Sequence, residues 1–413
     1  KAVDMIASHG QTIYHAPKSL HPNSEYDPAT LQIGDGDHIA VTTGIITLSD
    51  FRQKHIAAGG EGAPLAVYGD YLLCSHPTEN RLLLNIGGIA HQTFEGIKSN
   101  PIYQDADAAV KEAKAFGADY IIALGGGSVI DTAKAVAMGV PVTHSVWDFY
   151  LQKAKPDKAL PIFAILTLAA TGTEMNPFTV LQDTEGGSKL GYGSPYLYPR
   201  VSFLDPALTT TVPADYTAYG LADLMAHALE QFFGLGNSPL TDLHTAAVLK
   251  LAVEYGEKVV SHPDDYDTRA NIMWLATTAL NGSLTAGKNG GDWACHGFEH
   301  SLSVLFDIAH GAGLSIVFPA WLKHNQDKFF DKLAFLARHV FELEGSDEQI
   351  APQFIEKLEA FFTTINTPTR LAQVNIDKSS KDAILANFKQ HKVSGQVYKL
   401  NEDDHSAILD LMW

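Results

Sequence analysis

His296 and His310 stand fourteen residues apart, downstream of an Asp223/His227 pair spaced four apart. Residues i and i+4 of a helix stack on one face, and the apolar periodicity around Asp223 predicts a helix there. One carboxylate and three imidazoles make a divalent-metal donor set of borderline softness, suited to iron or zinc. The Asp223/His227 pair alone would be an ordinary surface or capping pair, and only the set of four is specific. His300 lies four residues after His296, where it would share that residue's helical face and relay a proton or orient a ligand. A core histidine is an equal reading. Cys295 borders His296, but a free cysteine is usually a small buried residue, and that reading is favoured.

These side chains need elements to position them. Residues 120–124 form a short apolar run that enters Gly125-Gly126-Gly127-Ser128 and then a helical pattern. Such a strand–turn–helix unit can offer amide N–H groups and a helix dipole to a pyrophosphate. Alone it would equally be a tight connection. Residues 141–143, 161–167 and 201–205 read as further strands, making a parallel α/β sheet the economical arrangement. Helical spacing recurs over 105–116 and, beyond Pro213, over 216–233, 241–260, 268–286 and 354–363.

The segments Gly125 to Asp131, Ala170-Thr171-Gly172-Thr173-Glu174-Met175-Asn176, Gly220 to His227, and Cys295-His296-Gly297 with His310-Gly311 carry a resemblance. In order and spacing they resemble the iron-containing (group III) alcohol dehydrogenases, nearest the butanol dehydrogenase and aldehyde reductase branch, over about residues 94–413. The resemblance implies an α/β nucleotide-binding domain followed by an all-helical metal-binding domain. It places the metal ligands on Asp223, His227, His296 and His310. Fe2+ is the implied metal, with Zn2+ as the alternative. The cofactor would be NAD or NADP, lying against Gly125, Gly126, Gly127, Ser128, Asp131, Thr167, Thr171 and Lys189, and His300 would act in catalysis. The metal would polarise the oxygen of a small alcohol or aldehyde while hydride moves to or from nicotinamide. A homodimer is compatible with this reading.

The first ninety residues follow another pattern. Ala7-Ser8-His9-Gly10-Gln11-Thr12, Leu48-Ser49-Asp50-Phe51-Arg52 and residues 57–65, ending in residues 83–89, resemble anhydro-N-acetylmuramic acid kinase, which implies a fragment of the sugar-kinase and actin-like ATPase fold. That resemblance stops after Ala90, so a fusion is inferred, with domains at 1–91, 92–210 and 211–413. His9, Asp50 and Arg52 would match sugar-contacting positions. Each half is then incomplete. The kinase-like part lacks phosphate-binding and catalytic regions that phosphoryl transfer needs, and the dehydrogenase-like part lacks its opening strand–helix–strand region, leaving its sheet truncated. The apolar run from Arg81 to Gly88 could replace one missing strand, although the interval from Gly88 to Gly125 looks short for a helix and a strand. Sugar phosphorylation, or an inactive chimera that binds metal or sugar, are the alternative functions.

Composition sets outer bounds. With 47 acidic against 29 basic residues, the net charge of −18 excludes nucleic-acid or anionic-membrane binding driven by electrostatics. No run of eighteen apolar residues exists, so no spanning helix is expected. Two cysteines and no secretory leader point to a reducing cytoplasm. The chain opens at Lys1, so a missing or processed start is expected.

Overall fold

The computed structural model describes residues 5–7, 11–16, 29–33, 36–44, 46–48, 81–85 and 91–413. The chain divides into two compact units, Lys1–Ser75 and His76–Trp413. In the first unit, strand β1 (Met5–Ala7) pairs parallel with β4 (Ile46–Leu48), and β2 (Gln11–Ala16) pairs antiparallel with β3 (Ala29–Ile33). A short helix, Gly36–Thr43, precedes β4. His9, Asp50, Arg52 and Cys74 lie outside the described residues.

The second unit opens with a five-stranded sheet. Its strands are β5 (Arg81–Asn85), β6 (His91–Glu95), β7 (Ile121–Gly125), β8 (Ile162–Leu166) and β11 (Val201–Phe203), in the order β11-β8-β7-β5-β6. Strands β7, β8 and β11 run parallel, as the apolar runs predict. The expectation of an all-parallel sheet is corrected on the other side. The run at Arg81 does replace a strand, but antiparallel to both neighbours, with Arg81 opposite Leu124 and Glu95. β5 and β6 pair antiparallel with only five residues between them in sequence, and that saves enough chain for the helix Tyr103–Phe116 to fit before β7. The interval that looks short therefore holds a strand and a helix.

Residues 141–143 do not form a strand. Pro141 has no N–H for a ladder, Val142 turns back to the carbonyl of Gly139, and its own carbonyl accepts from Lys114. Sequence reading also missed the hairpin of β9 (Phe178–Asp183) and β10 (Ser188–Gly193), in register from Ser188–Asp183 to Gly193–Phe178. Its signal is present: two alternating segments flank Glu185-Gly186-Gly187, a turn composition.

Beyond Pro213 every long element is helical. The helices Ala214–Phe232, Pro239–Ser261, Tyr266–Leu280, Ala294–Phe306, His310–Asn325, Phe330–Phe341 and Asp347–Thr364 share one core. The expected helix over 268–286 stops at Leu280, because Gly282 turns left-handed at φ 93°. Trp321 stacks on Phe329 with centroids 5.2 Å apart, and Phe233 meets Phe329 at 4.5 Å. This packing fixes the helix Ala214–Phe232, buried along most of its length, against the helix His310–Asn325 that carries Trp321.

The loop 170–176 joins the sheet layer to the helical layer. Lys134, fully buried in the helix Gly127–Gly139, donates to the carbonyls of Thr173, Asn176 and Phe178 at 2.6, 2.8 and 2.7 Å. Glu174 accepts from Thr277 Oγ1 at 2.5 Å, across to the helix Tyr266–Leu280. A buried ammonium with several carbonyl acceptors is satisfied, so this motif serves to hold the loop in place.

Candidate metal centre and cofactor crevice

Asp223 and His227 project from one face of the helix Ala214–Phe232, His296 and His300 from the helix Ala294–Phe306, and His310 opens the helix His310–Asn325. Asp223 is the hub. Its Oδ1 lies 3.5 Å from His227 Nδ1, 4.0 Å from His296 Nε2 and 3.6 Å from His310 Nε2. His227 and His296 stack at 4.8 Å between centroids, and His296 and His310 approach to 5.4 Å. All three imidazoles thus approach the Asp223 carboxylate, although His227 stands outside the groups whose ligand atoms could share one ion. Asp223, His296 and His310 form one group able to hold an ion, and Glu299, His300 and His310 form an adjoining one.

The donor atoms themselves test whether a metal fits. Asp223 Oδ1, His227 Nδ1 and His296 Nε2 are buried without a hydrogen-bond partner. An unpaired buried polar atom costs about 1–3 kcal/mol, and a cation beside Asp223 Oδ1 would satisfy it together with the His296 and His310 nitrogens grouped around it. Burial lowers His227 to about 3, keeping it neutral and therefore a competent ligand despite the opposing pull of Asp223. The residues fit a divalent ion. His310 is the most open of the four, with its side chain 24% exposed, so one flank remains accessible.

Two carboxylates behind the imidazoles escaped sequence reading. Glu230, fully buried, accepts from the backbone N–H groups of Trp293 at 2.6 Å and His296 at 3.1 Å, and lies 3.3 Å from His296 Nδ1. Glu299, also fully buried, contacts His310 Nδ1. A carboxylate on one ring nitrogen fixes the tautomer and turns the other nitrogen toward a metal. Burial alone would raise Glu299, but the charges of His310 and Lys189 outweigh it and hold the carboxyl below its ordinary range. The signal was spacing: Glu230 is three residues beyond His227, and Glu299 three beyond His296, each on a ligand's own helical face.

His300 stands between this cluster and a cavity of about 230 Å³ lined also by Lys189, Gly297, Ser301, Asn387 and Lys392. Its ring is 6.4 Å from that of His296 and 5.8 Å from that of His310. Burial, then the Lys189 charge, push its pKa well below normal, which favours the neutral imidazole. Cys295 is fully buried and its thiol is pushed up by burial, as an inert core residue would be.

The glycine turn lies at the carboxyl ends of β7 and β8, where a doubly wound sheet leaves a crevice. Gly126 caps the helix Gly127–Gly139 without a side-chain hydrogen bond, leaving amides for an anion. A Cβ on Gly127 would come within 2.7 Å of Thr171 Cγ2, and one on Gly126 within 3.1 Å of Leu168. Thr167 N–H donates to the Gly125 carbonyl at 3.0 Å. Gly125, Gly126, Gly127, Thr167 and Thr171 therefore share one wall. Ser128 Oγ donates to the Ser99 carbonyl at 2.6 Å. Two other expected cofactor residues are buried, Lys189 still reaching the cavity that His300 borders. The Asp131 carboxylate accepts from Thr173 Oγ1 and Val180 N–H, and Lys189 is buried behind His310.

Comparison with known proteins agrees with this geometry. Residues 48–206 match the iron-containing alcohol dehydrogenase family and residues 217–413 the C-terminal region of Fe-containing alcohol dehydrogenases. A probable NADH-dependent butanol dehydrogenase 1 of Bacillus subtilis (strain 168) is 38% identical over 330 residues, 79% of this chain and 85% of that protein. An NADPH-dependent aldehyde reductase of Escherichia coli (strain K12) is 32% identical over 84% of this chain and 89% of its own length. The crystal structure of NADH-dependent butanol dehydrogenase A from Thermotoga maritima superposes with a TM-score of 0.75 at 38% identity, covering 77% of this chain and 82% of that one. A separate 92-residue stretch is 72% identical to anhydro-N-acetylmuramic acid kinase of Pseudoalteromonas atlantica, covering 22% of this chain and 23% of the kinase. The bulk of the chain, from its mixed sheet to the helices that bring Asp223 and three histidines together, belongs to the iron-containing alcohol dehydrogenase family.

Proposed function

We propose that the protein is an NAD(P)(H)-dependent alcohol dehydrogenase and aldehyde reductase acting on a small alcohol or aldehyde, with Asp223, His227, His296 and His310 as ligands of Fe2+, or of Zn2+ as the alternative. The observation that carries this reading is the grouping of Asp223, His296 and His310 donor atoms within reach of one ion, with His227 Nδ1 3.5 Å from Asp223 Oδ1. When bound, the metal supplies Lewis acidity to the substrate oxygen and the nicotinamide supplies or accepts hydride. The chain's own residues do the rest. Glu230 and Glu299 orient the imidazoles of His296 and His310. His300 carries the hydroxyl proton between the site and the cavity beside it, whose small volume suits a short-chain substrate. The amides of Gly125, Gly126, Gly127 and Ser128 meet the pyrophosphate, with Thr167 and Thr171 along the crevice. Asp131 supports that wall through Thr173 and Val180.

The domain limits 1–91, 92–210 and 211–413 follow the two resemblances, and the 72% match supports the sugar-kinase and actin-like reading of the first segment. That match also favours a second reading, ATP-dependent sugar phosphorylation, which an assay with anhydro-N-acetylmuramic acid and ATP tests. A homodimer is supported by the edge strand β11, where Val201 and Phe203 are about half exposed. Among the described residues no helix is long and apolar enough to cross a membrane, and a cytoplasmic location with neither nucleic-acid nor membrane partners agrees with the acidic charge. Fe2+-loaded protein should oxidise NADH or NADPH in the presence of butyraldehyde, and a chelator should abolish the rate. Undiminished turnover in the metal-free protein would refute the reading.

A further inference from the structure

Lys189 comes from β10 of the α/β domain, yet its ammonium is buried against the helical domain. Its Nζ lies 3.1 Å from Asn100 Oδ1, 3.0 Å from Ser303 Oγ, 3.4 Å from Glu299 Oε2 and 3.5 Å from His310 Nδ1. Asn100 is held in turn, its amide nitrogen donating to Asp307 Oδ1 at 2.9 Å and to the Ile308 carbonyl at 3.2 Å. Those two bonds spend the amide's donors and point its oxygen at Lys189. Ser303 also contacts Glu299, so both carboxylate oxygens of Glu299 are engaged.

The two imidazole-supporting carboxylates are thus held differently. Glu230 rests on backbone amides of Trp293 and His296, at the start of the same helix that carries His296. Glu299 rests on a side-chain cation delivered from the other domain. A fully buried carboxylate needs such a counter-charge, and without the Lys189 ammonium Glu299 Oε2 loses the contact that holds it beside His310 Nδ1. Its hold on the ring would then fail, and with it the orientation that points His310 Nε2 at Asp223, 3.6 Å away.

We infer that Lys189 is a positioning residue for the metal centre: with Asn100 and Ser303 it clamps Glu299 onto His310 and so sets the geometry of the one ligand that opens its own helix. The inference rests on the metal-centre reading above. It adds a part in metal retention to the cofactor contact that the family resemblance implies for Lys189.

The test is metal affinity measured by chelator competition with Zn2+, beside NADH and NADPH titration by fluorescence, on the full chain. Wild-type protein that binds no metal refutes the metal-centre reading itself. Given wild-type binding, Lys189→Met should weaken metal affinity in the absence of dinucleotide on the order of 10- to 100-fold, with dinucleotide titration reporting the cofactor contact separately, and Lys189→Arg should recover most of the metal loss. Glu299→Gln should weaken the metal similarly, and the double variant should lose no more than Glu299→Gln alone, because the two residues act in series. Unchanged metal affinity in Lys189→Met, or additive losses in the double variant, would overturn the inference. If Lys189→Met does not fold, Asn100→Ala carries the same expectation in smaller measure, and unchanged metal affinity there overturns it.

Discussion

His227 and His296 stack with ring centroids 4.8 Å apart and an interplanar angle of 23°, and each presents a buried nitrogen with no hydrogen-bond partner. Stacked imidazoles gain little from one another here, since the unpaired nitrogens cost more than ring contact returns. The arrangement makes sense as a donor pair. His296→Ala should therefore remove metal and activity together, as read by metal content and NADH oxidation.

His300→Ala should separate the two properties. The ring lies beyond the Asp223 hub, so metal content should stay at the wild-type level while turnover falls about 10²- to 10⁴-fold, the usual worth of a positioned proton carrier. Loss of metal from this variant, with metal retained by His296→Ala, would reverse the two roles.

Acid should destabilise the metal-free protein through His227. Its folded pKa, about 3, is below the ordinary value of 6.5, so between these limits the unfolded chain binds a proton that the native state does not. Stability from this group is complete above pH 6.5 and is lost as pH falls toward 3. Chemical denaturation at stepped pH, comparing wild type with His227→Gln, should show a steeper loss in the wild type across this window. Parallel profiles would contradict the assignment.

Much of this site was legible in the sequence, and the exceptions share a cause. Asp223 and His227 declare themselves by helical spacing, and His296 and His310 by motif. The run at Arg81 reads as a strand from its apolar residues alone. Its antiparallel direction and its place between β6 and β7 do not, because a strand's partners are chosen across the sheet and not along the chain. A matching motif places Lys189 and Asp131 beside the cofactor and says nothing of their packing inside the protein. Their partners, Glu299 more than a hundred residues away and Val180 on the missed hairpin, exist only once the layers are packed.

The sheet order makes a further prediction about the seam. β5 lies between β6 and β7, whereas among the described residues the strands before Ser75 join no part of the five-stranded sheet. A chain starting at His76 should fold and keep its metal. One starting at His91 should expose the edge of β7, a row of unpaired backbone groups flanked by buried apolar residues, and aggregate. Sedimentation and metal content of the two truncations decide this, and equal behaviour would show that β5 is dispensable.

Gly127→Ala sets two magnitudes against each other. Alanine in a helix gains roughly 1 kcal/mol over glycine, but here its Cβ would press within 2.7 Å of Thr171, and overpacking costs about 1–3 kcal/mol. The clash should win, lowering thermal stability and weakening NAD(P)H binding, with Thr171→Ala in the same chain restoring stability.

The decisive observation would be anomalous X-ray scattering at the iron edge from Fe2+-soaked crystals. One peak should appear amid the four side chains, with Asp223, His227, His296 and His310 each donating from about 2.0–2.3 Å. A peak elsewhere, or crystals of active protein with no peak among these residues, would show that the convergence at Asp223 is not the metal centre.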